Sequence, residues 1–178
     1  MTAFVALLRG INVGGKNILP MKEFRALLTT LGCEDVATYI RSGNAVFTYA
    51  GDAAKLPESI ASVIESAFEF RPSLMVLTEN EFSAIAAANP FSAEVSELKY
   101  LHIWFMQEPA DNANTARLDE IASVGERFLL TDSAFYLHAP KGIGRSRLAS
   151  EVEKCLGVQA TARNCRTVSK IREMLGSH

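Results

Sequence analysis

Residues 36–49 read VATYIRSGNAVFTY. Two β-rich runs, Val36 to Arg41 and Ala45 to Tyr49, flank Ser42-Gly43-Asn44, which is hairpin punctuation. A tight hairpin joins antiparallel strands, so this stretch decides against a doubly wound parallel sheet. Working outward, Phe4 to Leu8 is an apolar run without alternation, as in a strand buried on both faces. Pro20 stands at a first helical position, Met21, Phe24, Leu27, Leu28 and Leu31 follow at helical spacing, and Gly32 closes the helix. Downstream, Ile60, Val63, Ile64, Ala67 and Phe68 mark a second amphipathic helix, and Leu74 to Leu77 a fourth strand. Residues 3–79 therefore spell β-α-β-β-α-β, the split-βαβ or ferredoxin-like order.

The same order returns later. Residues 80–99 read as a connecting helix and loop, opened by a capping box at Thr78 and Glu81 and closed by Asn89-Pro90. Residues 100–163 then give a strand at Tyr100 to Gln107, a helix marked by Leu118 and Ile121, and strands at Phe128 to Thr131 and Phe135 to Ala139. A helix marked by Leu148, Val152 and Leu156 and a strand near Gln159 to Arg163 complete the set. Residues 164–176 carry Val168, Ile171 and Leu175 on one helical face. The predicted fold is α+β: two ferredoxin-like repeats with antiparallel sheets, a connecting helix and an added C-terminal helix, an internal duplication.

The chain has 178 residues, 48% of them hydrophobic and 21% charged, which excludes a disordered chain. Its apolar runs are far shorter than the roughly 20 residues of a membrane helix. The N-terminal apolar stretch meets Arg9 too early for a signal peptide. Cys33, Cys155 and Cys165 form no CxxC pair, and His102, His138 and His178 are scattered, so a reducing cytoplasm is expected, with no disulfide framework, metal or cofactor. His102 and His138 lie within apolar strands and read as core or edge histidines rather than catalytic bases. The net charge of −2 hides a segregation: residues 1–49 carry five basic and three acidic side chains, residues 50–135 five and fourteen, residues 136–178 eight and three. Basic ends around an acidic middle suit an anionic partner.

Gly10 to Lys16 match the GxxxxGK spacing of a P-loop after an apolar strand. Asn17 stands where the magnesium-binding hydroxyl belongs, the helix begins only at Pro20, and the sheet is antiparallel. A P-loop NTPase is therefore not expected. A looser anion site survives: Gly14 and Gly15 let backbone amides approach a ligand, Arg9 and Lys16 add charge, and Asn17 an amide. The alternative is turn chemistry alone. In a split βαβ unit the first two strands run parallel, so this loop should lie beside the hairpin and bring in Ser42 and Asn44. In the second repeat, the loop holding Lys141, Arg145, Ser146 and Arg147 should meet the end of the last strand at Arg163 and Asn164, with Arg166 beyond it. The alternative there is that Ser146 and Asn164 are helix caps and the arginines solvated.

Three separated motifs, RGINVGGKN (residues 9–17), TYIRSGNAVF (38–47) and TARNCRTVSK (161–170), together resemble an uncharacterised bacterial protein family, domain of unknown function 1697. The resemblance implies a two-part α+β fold, and it implies no assigned reaction and no catalytic residues. The family more often carries Gln where Arg41 stands and Trp where Cys165 stands, so a role needing that amide or that indole does not transfer.

The expected function is a cytoplasmic binding module for a phosphate-bearing small molecule or nucleic acid. Its ligand residues would be Arg9, Gly14, Gly15, Lys16, Asn17, Ser42, Asn44, Lys141, Arg145, Arg163 and Asn164. Sheet faces of this kind serve RNA-binding domains, although the aromatic spacing of RNA-recognition motifs is absent. The rival readings are an enzyme on a small phosphorylated or carboxylated substrate, using Ser42, Thr161 or Asp132, and a structural protein whose glycines only fold. No membrane partner is expected, and oligomeric state stays open.

Overall fold

The computed structural model describes residues 1–176; His178 lies outside them. The chain runs β1 (Thr2–Arg9), α1 (Met21–Thr30), β2 (Glu34–Tyr39), β3 (Asn44–Tyr49), α2 (Leu56–Phe68) and β4 (Ser73–Thr78). After α3 (Glu79–Ala87) come β5 (Leu101–Met106), α4 (Thr115–Ile121), β6 (Arg127–Leu130), β7 (Ala134–His138), α5 (Arg147–Leu156), β8 (Ala160–Asn164) and α6 (Cys165–Leu175). The duplication is present in full. Both sheets are antiparallel and share one order, β2-β3-β1-β4 and β6-β7-β5-β8.

Strand parity builds each core. On one face of the first sheet, Phe4, Ala6 and Leu8 of β1 join Ala45 and Phe47 of β3 and Leu74 of β4. Phe24 and Leu28 of α1 and Leu56, Ile60 and Ile64 of α2 pack on them. In the second, Trp104 and Met106, Phe135 and Leu137, and Ala160 meet Leu118 and Ile121 of α4 and Leu148, Val152 and Leu156 of α5. The other faces are buried too: Val5, Leu7, Val46 and Met75 in one sheet, Ile103, Phe105 and Tyr136 in the other. That double burial is why Phe4 to Leu8 of β1 read as an apolar run without alternation. Fully burying one such Phe or Leu is worth about 1.5–3 kcal/mol.

Capping follows the expected signals at α3 and α5, whereas Pro20, expected as the first residue of α1, is its extended N-cap (φ −63°, ψ 134°) and the helix begins at Met21. Thr78 and Glu81 form the reciprocal box at the start of α3: the Thr78 N–H donates to Glu81 Oε2 at 2.8 Å, and the Glu81 N–H to Thr78 Oγ1 at 3.2 Å. Ser146 caps α5 through the Ala149 N–H. The two compact units are Met1–Ser83 with the segment from Ser169, and Ala84–Val168, so the divisions fall inside α3 and α6 rather than in loops. Among the described residues, no helix is long and apolar enough to cross a membrane.

Gly43 sits where the β2–β3 hairpin presses on β1. Its φ is +82°, and a Cβ there would lie 2.6 Å from Leu8 Cβ and 2.7 Å from Ile11 Cδ1. Gly43→Ala should cost about 2 kcal/mol or more, through clash and a disfavoured φ together. Gly144→Ala, with nothing within 4 Å of the added methyl, should stay within about 0.5 kcal/mol of wild type. Urea unfolding midpoints of the two variants test this contrast.

Candidate functional site

The segment leaving β1 folds into a miniature hairpin. Val13 and Lys16 form an isolated antiparallel bridge, the Lys16 N–H donating to Val13 O at 3.0 Å and the Asn12 N–H to Asn17 O at 3.0 Å. Gly14 (φ 58°) and Gly15 (φ 73°) are both left-handed, the signature of a two-residue type I′ turn. These glycines therefore serve turn chemistry. The P-loop's backbone cradle at a helix N-terminus is not formed.

Asparagines hold the segment down. Asn12 Nδ2 donates to Leu19 O at 2.9 Å and to Arg41 O at 2.8 Å, while its Oδ1 accepts from the Leu19 N–H at 2.8 Å. Asn17 Nδ2 donates to Gly10 O at 2.9 Å. The expected meeting of the glycine loop with the β2–β3 hairpin is thus made by direct hydrogen bonds, since β1 and β2 both run antiparallel to β3 and end together. Within the hairpin, Asn44 Nδ2 donates to Tyr39 O at 2.9 Å and Ser42 Oγ at 3.1 Å. Asn17, Ser42 and Asn44 accordingly shape the loops with their own polar groups.

Arg9, Lys16 and Arg41 are exposed at this end of the sheet. Three aliphatic side chains stand among them: Val13 is 68% exposed, Ile18 47% and Ile40 49%. Neither residues 9–19 nor residues 40–44 contain an acidic side chain. Ile40 is β-branched yet has φ of 50°, a strained conformation costing about 1–3 kcal/mol. A third segment at the same end, just before β4, brings Arg71, whose guanidinium is held by Glu58 and Glu65. Asn12, Arg41 and the three aliphatics were not marked as site residues from sequence. The signal available was the polar Asn12 enclosed by Ile11 and Val13, next to glycine.

The second unit separates what the sequence expectation had gathered. Lys141 and Arg145 line a hollow of about 150 Å³ with Ser123, Val124, Glu126 and Ser146. Its backbone donors are largely committed: the Gly142 N–H to Ala139 O, the Ser146 N–H to Ile143 O, and the Ser123 N–H to Glu126 Oε2. Arg163 is not in that lining and is only 8% exposed. The cause is parity: Arg163 opposes Ile103 and shares its face with Thr161, away from Ala160 on the helix side. Burial pushes its guanidinium down to about 10, and Nη1 donates to Ala162 O at 2.8 Å. Arg166 borders a different depression with Glu97, Leu98 and Lys99. Asn164 caps α6, its Oδ1 accepting from the Arg166 N–H at 2.9 Å.

Asn164 Nδ2 also donates to Lys99 O at 2.8 Å and lies 3.1 Å from His102 Nε2. That makes Nε2 the acceptor and leaves the proton on Nδ1, which is buried with no partner among the described residues. His102 is 5% exposed, and burial pushes its imidazole from 6.5 down to about 4. Burial likewise pushes the Cys33 and Cys165 thiols up to about 11, so both are protonated and unreactive at neutral pH.

Two outcomes follow from this geometry. Asn12→Ala should cost about 2 kcal/mol from three lost hydrogen bonds, and Asn12→Gly should remain destabilised although it accepts the φ of 54°; urea unfolding reads both. For His102, the unfolded chain binds a proton between pH 6.5 and about 4 that the native chain refuses. Stability is therefore full above that window and falls as pH drops through it, by at most about 3 kcal/mol. His102→Phe should remove that part of the acid dependence, measured as the unfolding midpoint from about pH 7 to about pH 4.

No protein of curated function matches the sequence. A conserved bacterial protein from Streptococcus pneumoniae is similar in structure, with a TM-score of 0.74, 29% identity and 98% of each chain covered. The family model described as "Protein of unknown function (DUF1697)" matches residues 1–136, the stretch that holds the glycine hairpin, the Asn12 anchor and the β2–β3 turn, and the chain belongs to that family.

Proposed function

We propose that the chain is a binding module for a phosphate-bearing ligand, a nucleotide or nucleic acid, taken at the loop end of the first unit. One observation carries the reading: Asn12 fastens two separate segments that leave the same end of the sheet, and these segments supply Arg9, Lys16 and Arg41 and no carboxylate. Cations arranged this way make charge-assisted hydrogen bonds to phosphate oxygens. Strain at the exposed Ile40 supports it, because a strained backbone that core packing does not require concentrates at binding sites. The enzyme reading gains no observation of its own: Ser42 Oγ accepts from Asn44, and the two buried thiols are protonated. The compartment proposed is the cytoplasm, which suits three free cysteines.

A thermal-shift screen with inorganic phosphate, nucleotides, sugar phosphates and short oligonucleotides tests the reading, since a ligand that binds only the native state raises the melting temperature. Lys16→Ala and Arg41→Ala should each weaken the ligand found by about ten- to a hundredfold while shifting stability by no more than about 0.5 kcal/mol. If no phosphate-bearing compound raises the melting temperature of wild type, the reading fails.

A further inference from the structure

The two repeats present topologically equivalent ends of opposite charge. In the first unit, the segment leaving β1 and the β2–β3 hairpin are tied where the Leu8 N–H donates to Gly43 O at 2.8 Å. In the second, the segment leaving β5 and the β6–β7 turn are tied at the matching place, where the Met106 N–H donates to Ser133 O at 3.0 Å. The first, residues 9–19 and 40–44, carries Arg9, Lys16 and Arg41 and neither Asp nor Glu. The second, residues 107–114 and 131–133, carries Glu108, Asp111 and Asp132, all exposed, and neither Lys nor Arg. Among the described residues, no ion pair engages those three carboxylates.

We infer that a second copy of this chain docks on the basic end, Glu108, Asp111 and Asp132 of one copy facing Arg9, Lys16 and Arg41 of the next. Charge complementarity names the partner, because one sequence supplies both surfaces on equivalent scaffolds. The exposed Val13, Ile18 and Ile40 add apolar area that a phosphate group leaves wet and a protein surface covers. The contact joins two different patches, so it is heterologous, and each copy keeps one end of each sign for another neighbour. The inference extends the proposed function in one respect: the same cations take negative charge from either source, so a phosphate-bearing ligand and the neighbouring copy exclude one another. Because the paired charges are exposed, the association weakens as salt rises.

Sedimentation velocity on the full chain, over a concentration series at low and high salt, reads the association. Wild type should form larger species at low salt and revert to monomer at high salt. Lys16→Glu with Arg41→Glu should be monomeric, and so should Glu108→Lys with Asp132→Lys. An equimolar mixture of the two double variants should associate again, since the acidic end kept by the first meets the basic end kept by the second and the two reversed ends are complementary as well. Unchanged melting temperatures establish that both double variants fold. The inference is overturned if wild type stays monomeric at low salt, if either double variant associates like wild type, or if the mixture does not associate. The ligand reading is tested separately on the Glu108→Lys, Asp132→Lys variant, whose basic end is intact: inorganic phosphate and nucleotides should still raise its melting temperature, whatever the association result.

Discussion

The pairing of β1 with two antiparallel neighbours, β3 on one side and β4 on the other, is the constraint on which the first unit depends. A central strand has every backbone donor and acceptor committed to a ladder, and here both of its faces are buried as well. Such a strand has no freedom to slip, because a one-residue shift would exchange Phe4, Ala6 and Leu8 with Val5 and Leu7 between faces. With β1 fixed, β2 must run parallel to it at the outer side of β3, and the segments that leave them must emerge together. β5 plays the same part in the second unit, with β7 and β8 as neighbours.

Polar groups then finish what the ladders begin. A loop crowded with left-handed residues has backbone groups that no strand can satisfy, and asparagine side chains reach them. Asn12 serves Leu19 twice and Arg41 once, and Asn17 serves Gly10. The arrangement commits the short polar side chains to the scaffold and leaves the long cationic ones outward. The segments that carry Lys16 and Arg41 are therefore tied together by the asparagines.

The duplicated topology carries divergent surfaces. Position for position, the loop end of one repeat is glycine-rich and basic, and that of the other is acidic with a two-residue Asp132-Ser133 turn. The opposite end of the second repeat holds the Lys141 and Arg145 hollow, where a carboxylate, Glu126, shares the wall. A mixed wall is a poorer anion site than an unmixed surface, and for that reason the first unit carries the functional reading.

Element order, sheet type and the helix caps were legible in the sequence, because each rests on contacts within a few residues. Ser42-Gly43-Asn44 announces a hairpin by its own turn chemistry, Thr78 and Glu81 form their box three residues apart, and the apolar run at Phe4 to Leu8 needs no distant partner to be recognised. The adjacency of the glycine loop and that hairpin was legible too, since it follows from strand direction alone. Tertiary structure alone decided which charged side chains reach solvent. Arg163 and Lys16 look alike in the sequence, each beside small polar residues near a strand end. Parity on β8 turns Arg163 to a buried face, while a two-residue turn carries Lys16 outward. The role of Asn12 was equally hidden, because its partners are Leu19 and Arg41, the latter 29 residues away. A hydrogen bond across that separation exists only after the sheet has brought the segments together, and no local pattern in the chain encodes it.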